Sequence, residues 1–247
     1  MAIGGIVFAC VFGGALLGTF LRAMLPEHHL SPDSKDLVKL GMGLVGTMAA
    51  LVLGLLIASA KSSHDRLNDD LTQISVKLIL LDRVMAHYGP ETTDARDLLR
   101  RSVVDALGRF WPEHRVRPVL SGPTARSEAL DDKIHALSPQ NDAQRSRQAQ
   151  ALQLSTDLAQ TRWLLVEQSG SSIATPFLVL LTFWVTVIFI SFGLLAPPNG
   201  TVIVTLFVCA LSVSGAIFLI LELDQPFAGL IQISSAPLRN VLAHLGQ

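Results

Sequence analysis

Charge is scarce in this chain of 247 residues: 16% of them are charged, half are apolar, and the mean hydropathy is +0.46. Between Gln168 and Leu221 there is not one charged side chain. That balance excludes an ordinary soluble domain and is the composition of a membrane protein. A net charge of −1 supplies no global field for nucleic acid. Both cysteines, Cys10 and Cys209, fall inside apolar runs, where a lone thiol behaves as a small hydrophobe, so no disulfide or metal framework is expected from them. Catalytic signatures are missing too. The chain has no G-x-S-x-G, P-loop, G-x-G-x-x-G or H-E-x-x-H pattern. The adjacent pair His28-His29 suits one metal ion poorly, the other histidines are scattered, and no enzyme is expected.

What is present is a set of long apolar stretches. A helix crosses a hydrocarbon core of about 30 Å with some twenty apolar residues. Four stretches qualify: residues 3–21, 40–60 between Lys39 and Lys61, 173–195, and 201–221. No basic stretch precedes the first and no small-x-small cleavage site follows it, so it reads as a retained helix and not a signal peptide. The turn sequence APPNG at 196–200 makes the last two a tight hairpin. Lys61, Arg66, Lys77, Arg162 and Arg239 flank one side, against Arg22, Lys35 and Lys39 in the first loop and none in the hairpin turn. Basic residues favour the cytoplasmic side. Both termini and the central segment are therefore expected in the cytoplasm.

The central segment holds most of the charge and is patterned as helix. From Leu67, apolar residues Leu71, Ile74, Leu78, Leu81 and Met85 recur at steps of three and four, so the second span is expected to continue out of the membrane. His87-Tyr88-Gly89-Pro90 stops it, and threonine and aspartate caps start a second helix over 92–110. After the proline-rich stretch 111–123, a short helix is expected over 124–137. A long one follows Ser138-Pro139, with Leu152, Ser155, Leu158, Ala159, Arg162, Leu165 and Val166 on one face, and leads into the third span. No strand pattern appears. The fold class is an all-α membrane protein with two-plus-two transmembrane helices and a central helical layer. Residues 1–60 hold the first two transmembrane helices, 61–172 the cytoplasmic domain, 173–221 the hairpin, and 222–247 an interfacial segment.

Two features stand out within this frame. In the second span Gly46, Ala50, Gly54 and Ala58 fall every four residues, led by Gly43, and in the first span Gly5, Ala9 and Gly13 form one seam and Gly14 and Gly18 another. Small residues at that spacing allow close helix approach. They serve either packing within one protomer or a helix that lines a narrow pore. The fourth span delivers Glu222 and Asp224 to the interface that also receives Lys61, His64, Asp65, Asp69 and Asp70 from the second. Carboxylates at a helix C-terminus need compensation. That compensation is an ion pair or a hard cation such as calcium. The stretch ELDQPFAGLIQISSAPLR, residues 222–239, then reads as an anchored collar of apolar residues punctuated by Pro226 and Pro237.

GLLIASAKSSHD at 54–65 and the ELDQPFAGLIQISSAPLR stretch resemble the two signature stretches of a bacterial membrane family of unknown function that is often labelled bestrophin-like, and the resemblance extends over the whole chain. The label implies similarity to bestrophins: pentameric anion channels with four spans per subunit, a pore along the second span, and a calcium clasp formed partly by acidic residues after the fourth. Carried over, it places Gly46, Ala50, Gly54 and Ala58 near a pore and Glu222 and Asp224 near a clasp. The chain departs from that pattern in having no aromatic residue in its second span and no dense acidic run after its fourth. The resulting expectation is a homo-oligomeric channel in the lipid bilayer that passes inorganic ions, chloride among them, with no nucleic-acid partner. The alternative is a non-conducting membrane scaffold or sensor whose cytoplasmic helices bind a protein partner.

Overall fold

The structure is a computed structural model, described here for residues 2–25, 32–111, 125–168, 175–197, 199–224, 226–227 and 230–246. His28-His29 and most of the proline-rich stretch 111–123 lie outside the described residues. Eight α-helices follow in order: α1 Ala2–Met24, α2 Pro32–Tyr88, α3 Thr93–Phe110, α4 Ala125–His135, α5 Asp142–Gln168, α6 Thr175–Leu195, α7 Gly200–Leu223 and α8 Ala236–His244. No strand occurs among the described residues. Helices α1, α2, α6 and α7 are each long and apolar enough to cross a membrane.

The chain divides into two compact units: Met1–Lys61 with Ile173–Asp224, and Ser62–Ser172 with Gln225–Gln247. Helix α2 belongs to both. Its 57 residues would measure about 85 Å at a rise of about 1.5 Å per residue, far more than a bilayer needs. Lys35 and Lys39 lie within α2 and Arg22 in the last turn of α1, so these basic residues are helical and not loop residues as the charge pattern suggested.

In the first unit the core is drawn from Val7, Val11 and Ala15 of α1, Leu181, Val185 and Phe189 of α6, and Leu206, Ala210, Ile217 and Ile220 of α7. Helix α2 contributes Ala49, Leu56 and Ala60. Phe8 and Phe12 of α1 meet Phe207 of α7 edge-on, with ring centroids 5.5 and 5.4 Å apart. Of the two seams in α1, Gly14–Gly18 is the packed one: a Cβ on Gly14 would lie 2.9 Å from the Thr186 methyl, whereas Gly5 and Gly13 have open space.

The second unit is closed by the periodic run of α2. Leu67, Leu71, Ile74, Leu78, Leu81 and Met85 are all buried, against Ala95, Leu99 and Val103 of α3, Leu130 and Ile134 of α4, and Ala151, Leu158 and Leu165 of α5. Each of the leucine, isoleucine, valine and methionine side chains contributes about 1.5–3 kcal/mol on burial. Gly89, with φ of 142°, ends α2 in a conformation that side chains with a Cβ rarely adopt. Thr92 does not cap α3 with its side chain. Its hydroxyl is buried and donates back to the carbonyls of Met85 and Gly89, at 2.7 and 2.8 Å, and so ties α3 to the end of α2. Helix α5 opens at Asp142 and not at Ser138-Pro139. Asn141 accepts the Gln144 amide at 2.8 Å and the Gln144 side chain accepts the Gln140 amide at 2.7 Å, a reciprocal cap that sets the start.

The segment beyond α7 is part of this second unit, and it is more than a collar along the interface. Phe227 stacks near Phe110 and Trp111, the Trp111 indole donates to the Ile233 carbonyl at 2.8 Å, and α8 buries Leu238 and Val241, with Leu245 just beyond it. Pro237, which punctuates that collar in the sequence, sits in the first turn of α8, where its missing N–H is harmless.

Candidate functional site

Helix α2 is the least covered of the four spans. Of its most apolar window 11% is buried, against 22–28% for the others. The buried positions Ala49, Leu56 and Ala60 share one face, and the small residues singled out in the sequence lie elsewhere. Gly43, Ala50, Gly54 and Ala58 are exposed and Gly46 is half-buried. A Cβ on Gly43 or Gly54 would meet nothing within 4 Å, and one on Gly46 would touch only the Ile188 side chain, at 4.0 Å. The seam therefore does not pack helices within the protomer. It leaves a shallow strip on α2 with no charged side chain between Lys39 and Lys61, open to a second helix, lipid or a lumen.

Close packing falls to α1 and α6 instead. A Cβ on Gly18 would collide with the Ile190 carbonyl oxygen, and one on Gly193 with that of Ala15. The Arg22 guanidinium closes the same pair: it donates to the Leu195 carbonyl at 3.0 Å and to that of Ala196, at the end of α6. Cationic groups stabilise a helix C-terminus, where unpaired carbonyls gather. Neither Gly193 nor the capping role of Arg22 was apparent in the sequence, since the spacing of Gly14 and Gly18 names only one side of the contact.

The acidic group divides between the units. Glu222 lies in the last turn of α7 and Asp224 caps it, its amide donating to the Ile220 and Glu222 carbonyls. Both are half-buried and, like Lys61 and Asp65, each takes part in a polar or electrostatic interaction. Glu222, Asp224 and Lys61 belong to the first unit, Asp65 and Asp69 to the second. Among the described residues there is no group of three or more histidine, cysteine or acidic side chains placed to hold a metal ion. Next to Asp69, Asp70 is half-buried. Burial, and then the charge of Asp69, hold its carboxyl above the usual carboxylate range, while Lys77 pulls the other way.

A family model described as the Bestrophin-like domain matches residues 9–238. No curated protein matches the chain, and no solved structure does.

Proposed function

The chain belongs to the Bestrophin-like family, and from that premise we propose that it is an oligomeric channel of the bacterial inner membrane, passive and anion-conducting, with its pore along α2. The observation that supports this reading most is the uncovered strip of Gly43, Gly46, Ala50, Gly54 and Ala58 on a helix whose other face is anchored in the protomer. Around a symmetry axis such strips bring backbones close and leave a narrow space, and the absence of charge within the spans fits a passive path better than a coupled carrier. Family likeness suggests five subunits and chloride among the ions.

In this reading the second unit and both termini are cytoplasmic. The chain leaves that unit by α6, returns by α7 and completes the same core with residues 226–246, which requires an even number of crossings between them.

The test is halide flux through liposomes carrying the purified protein, with its oligomeric mass measured in detergent. Wild-type protein should pass halide as a defined oligomer. Gly54→Trp, where the protomer has open space, should abolish flux at unchanged mass. Flux untouched by this change would remove α2 from the pore. No flux of any monovalent ion would favour a scaffold or sensor instead.

A further inference from the structure

In the second unit, Val76 and Leu80 of α2 are 52% and 47% exposed, and Trp163 and Leu164 of α5 are 55% and 48% exposed. From Lys61, where the uncharged stretch of α2 ends, to Val76 the helix rises about 22 Å at about 1.5 Å per residue, so lipid hydrocarbon does not cover these side chains. Apolar groups left open together mark a contact surface.

The two patches stand at one height. Helices α2 and α5 run antiparallel: the Gln144 side chain donates to the Tyr88 carbonyl at 3.1 Å, and Lys77 donates to the Thr161 hydroxyl at 2.9 Å. Measured from the level of Lys77 and Thr161, Val76 and Leu164 both lie within about one turn on the side toward Lys61. Arg83 and Asp157 both lie on the other side, at about 9 and 6 Å. By steps of three and four, Val76, Leu80 and Arg83 share one face of α2, and Asp157, Gln160 and Leu164 share one face of α5. Neither the Arg83 guanidinium nor the Asp157 carboxylate has an ion-pair partner among the described residues. Each strip is thus apolar nearer Lys61 and charged farther out, with opposite signs.

Copies of a chain in one bilayer share an orientation, so only patches at the same height can meet. Two α2 strips would bring Arg83 against Arg83, and two α5 strips Asp157 against Asp157. We infer that the α2 strip docks on the α5 strip of a second copy, Val76 and Leu80 against Leu164 and Arg83 against Asp157. Contact between unlike surfaces is heterologous, and repeated about an axis it closes a ring. The inference rests on the oligomeric part of the proposed function and is independent of conduction.

Cross-linking of the full-length protein in bilayers tests it, in a background of Cys10→Ser and Cys209→Ser. Two differently tagged proteins, one with Val76→Cys and the other with Leu164→Cys, are expressed together and treated with a short bifunctional thiol reagent. The mixed pair should form the main cross-linked dimer, and either protein alone should form little. In detergent, Arg83→Asp and Asp157→Arg should each weaken self-association at least about tenfold, the scale of a like-charge contact, and the two together should restore most of it. A defined oligomer without the mixed cross-link, or with dimers of the Val76→Cys protein alone, would overturn this interface and leave the channel reading standing. A mixed cross-link in protein that passes no ion would uphold the interface and remove the channel reading.

Discussion

Gly18 of α1 and Gly193 of α6 mark the crossing at which the two helices meet through their backbones, each occupying a place where a methyl group would strike a carbonyl oxygen of the other helix. Gly18→Ala and Gly193→Ala should therefore each destabilise the protein by about 1–3 kcal/mol, the usual penalty of overpacking. Gly54→Ala, in open space, should leave stability unchanged in the same assay. Unfolding midpoints in detergent would separate the two classes, and equal loss at all three positions would contradict this assignment of packed and unpacked seams.

Asp82 is 3% exposed and receives both arms of the Arg96 guanidinium, at 2.7 and 2.9 Å. Breaking such a pair leaves a buried charge alone. Asp82→Asn and Arg96→Met should each lower stability, by about 3 kcal/mol for the better-buried Asp82, near the lower end because Arg96 retains some solvent. The double variant Asp82→Leu, Arg96→Met should lose less than the sum of the single losses, which a double-mutant cycle measures.

Asp70 supplies a pH dependence with a definite sign. Its carboxyl is held above its ordinary value of 3.8, so the folded protein retains this proton more readily than the unfolded chain. The stability linked to the group is fully present below pH 3.8 and is lost as pH rises through the elevated folded value. Asp70→Asn should flatten that part of the stability profile and leave the variant more stable than wild type at neutral pH. A wild-type profile that rises where this loss is expected, and is unchanged by the substitution, would refute it.

Trp111 joins α3 to the C-terminal segment by one hydrogen bond and by its ring against Phe227. Trp111→Phe removes the bond and part of the ring while keeping an aromatic face, and should cost at least about 1 kcal/mol. Phe227→Ala removes buried aromatic area and should cost about 3–5 kcal/mol. Hydrogen exchange over residues 230–246 should rise in that order, and protection unaffected by Phe227→Ala would show the segment to be held by α8 alone.

Much of the architecture was legible because charge and periodicity speak plainly in this chain. Lys39 and Lys61 bracket an uncharged stretch, and the run Leu67 to Met85 alternates with polar residues, so its buried face could be named position by position. Within the spans that contrast disappears. When every side of α2 is apolar, nothing in the sequence distinguishes Ala49, Leu56 and Ala60, which are buried, from Ala50, Gly54 and Ala58, which are not. On α5 the expected face was partly right: Leu158 and Leu165 are buried, yet Ala159 is exposed and Ser155 and Arg162 line a cleft, because the packed line runs through Ala151 and Thr161 instead. Helix α8 is masked in the sequence by Pro237, which reads as a break, although Leu238, Val241 and Leu245 carry a helical spacing.

The second unit is interrupted in the chain by α6 and α7, and its core residues Phe227, Ile233, Leu238, Val241 and Leu245 are synthesised only after both. Until they arrive, the apolar surfaces of Phe110, Trp111 and their neighbours have no cover. Completion of this core therefore depends on a segment that the chain supplies only after α6 and α7 have been made.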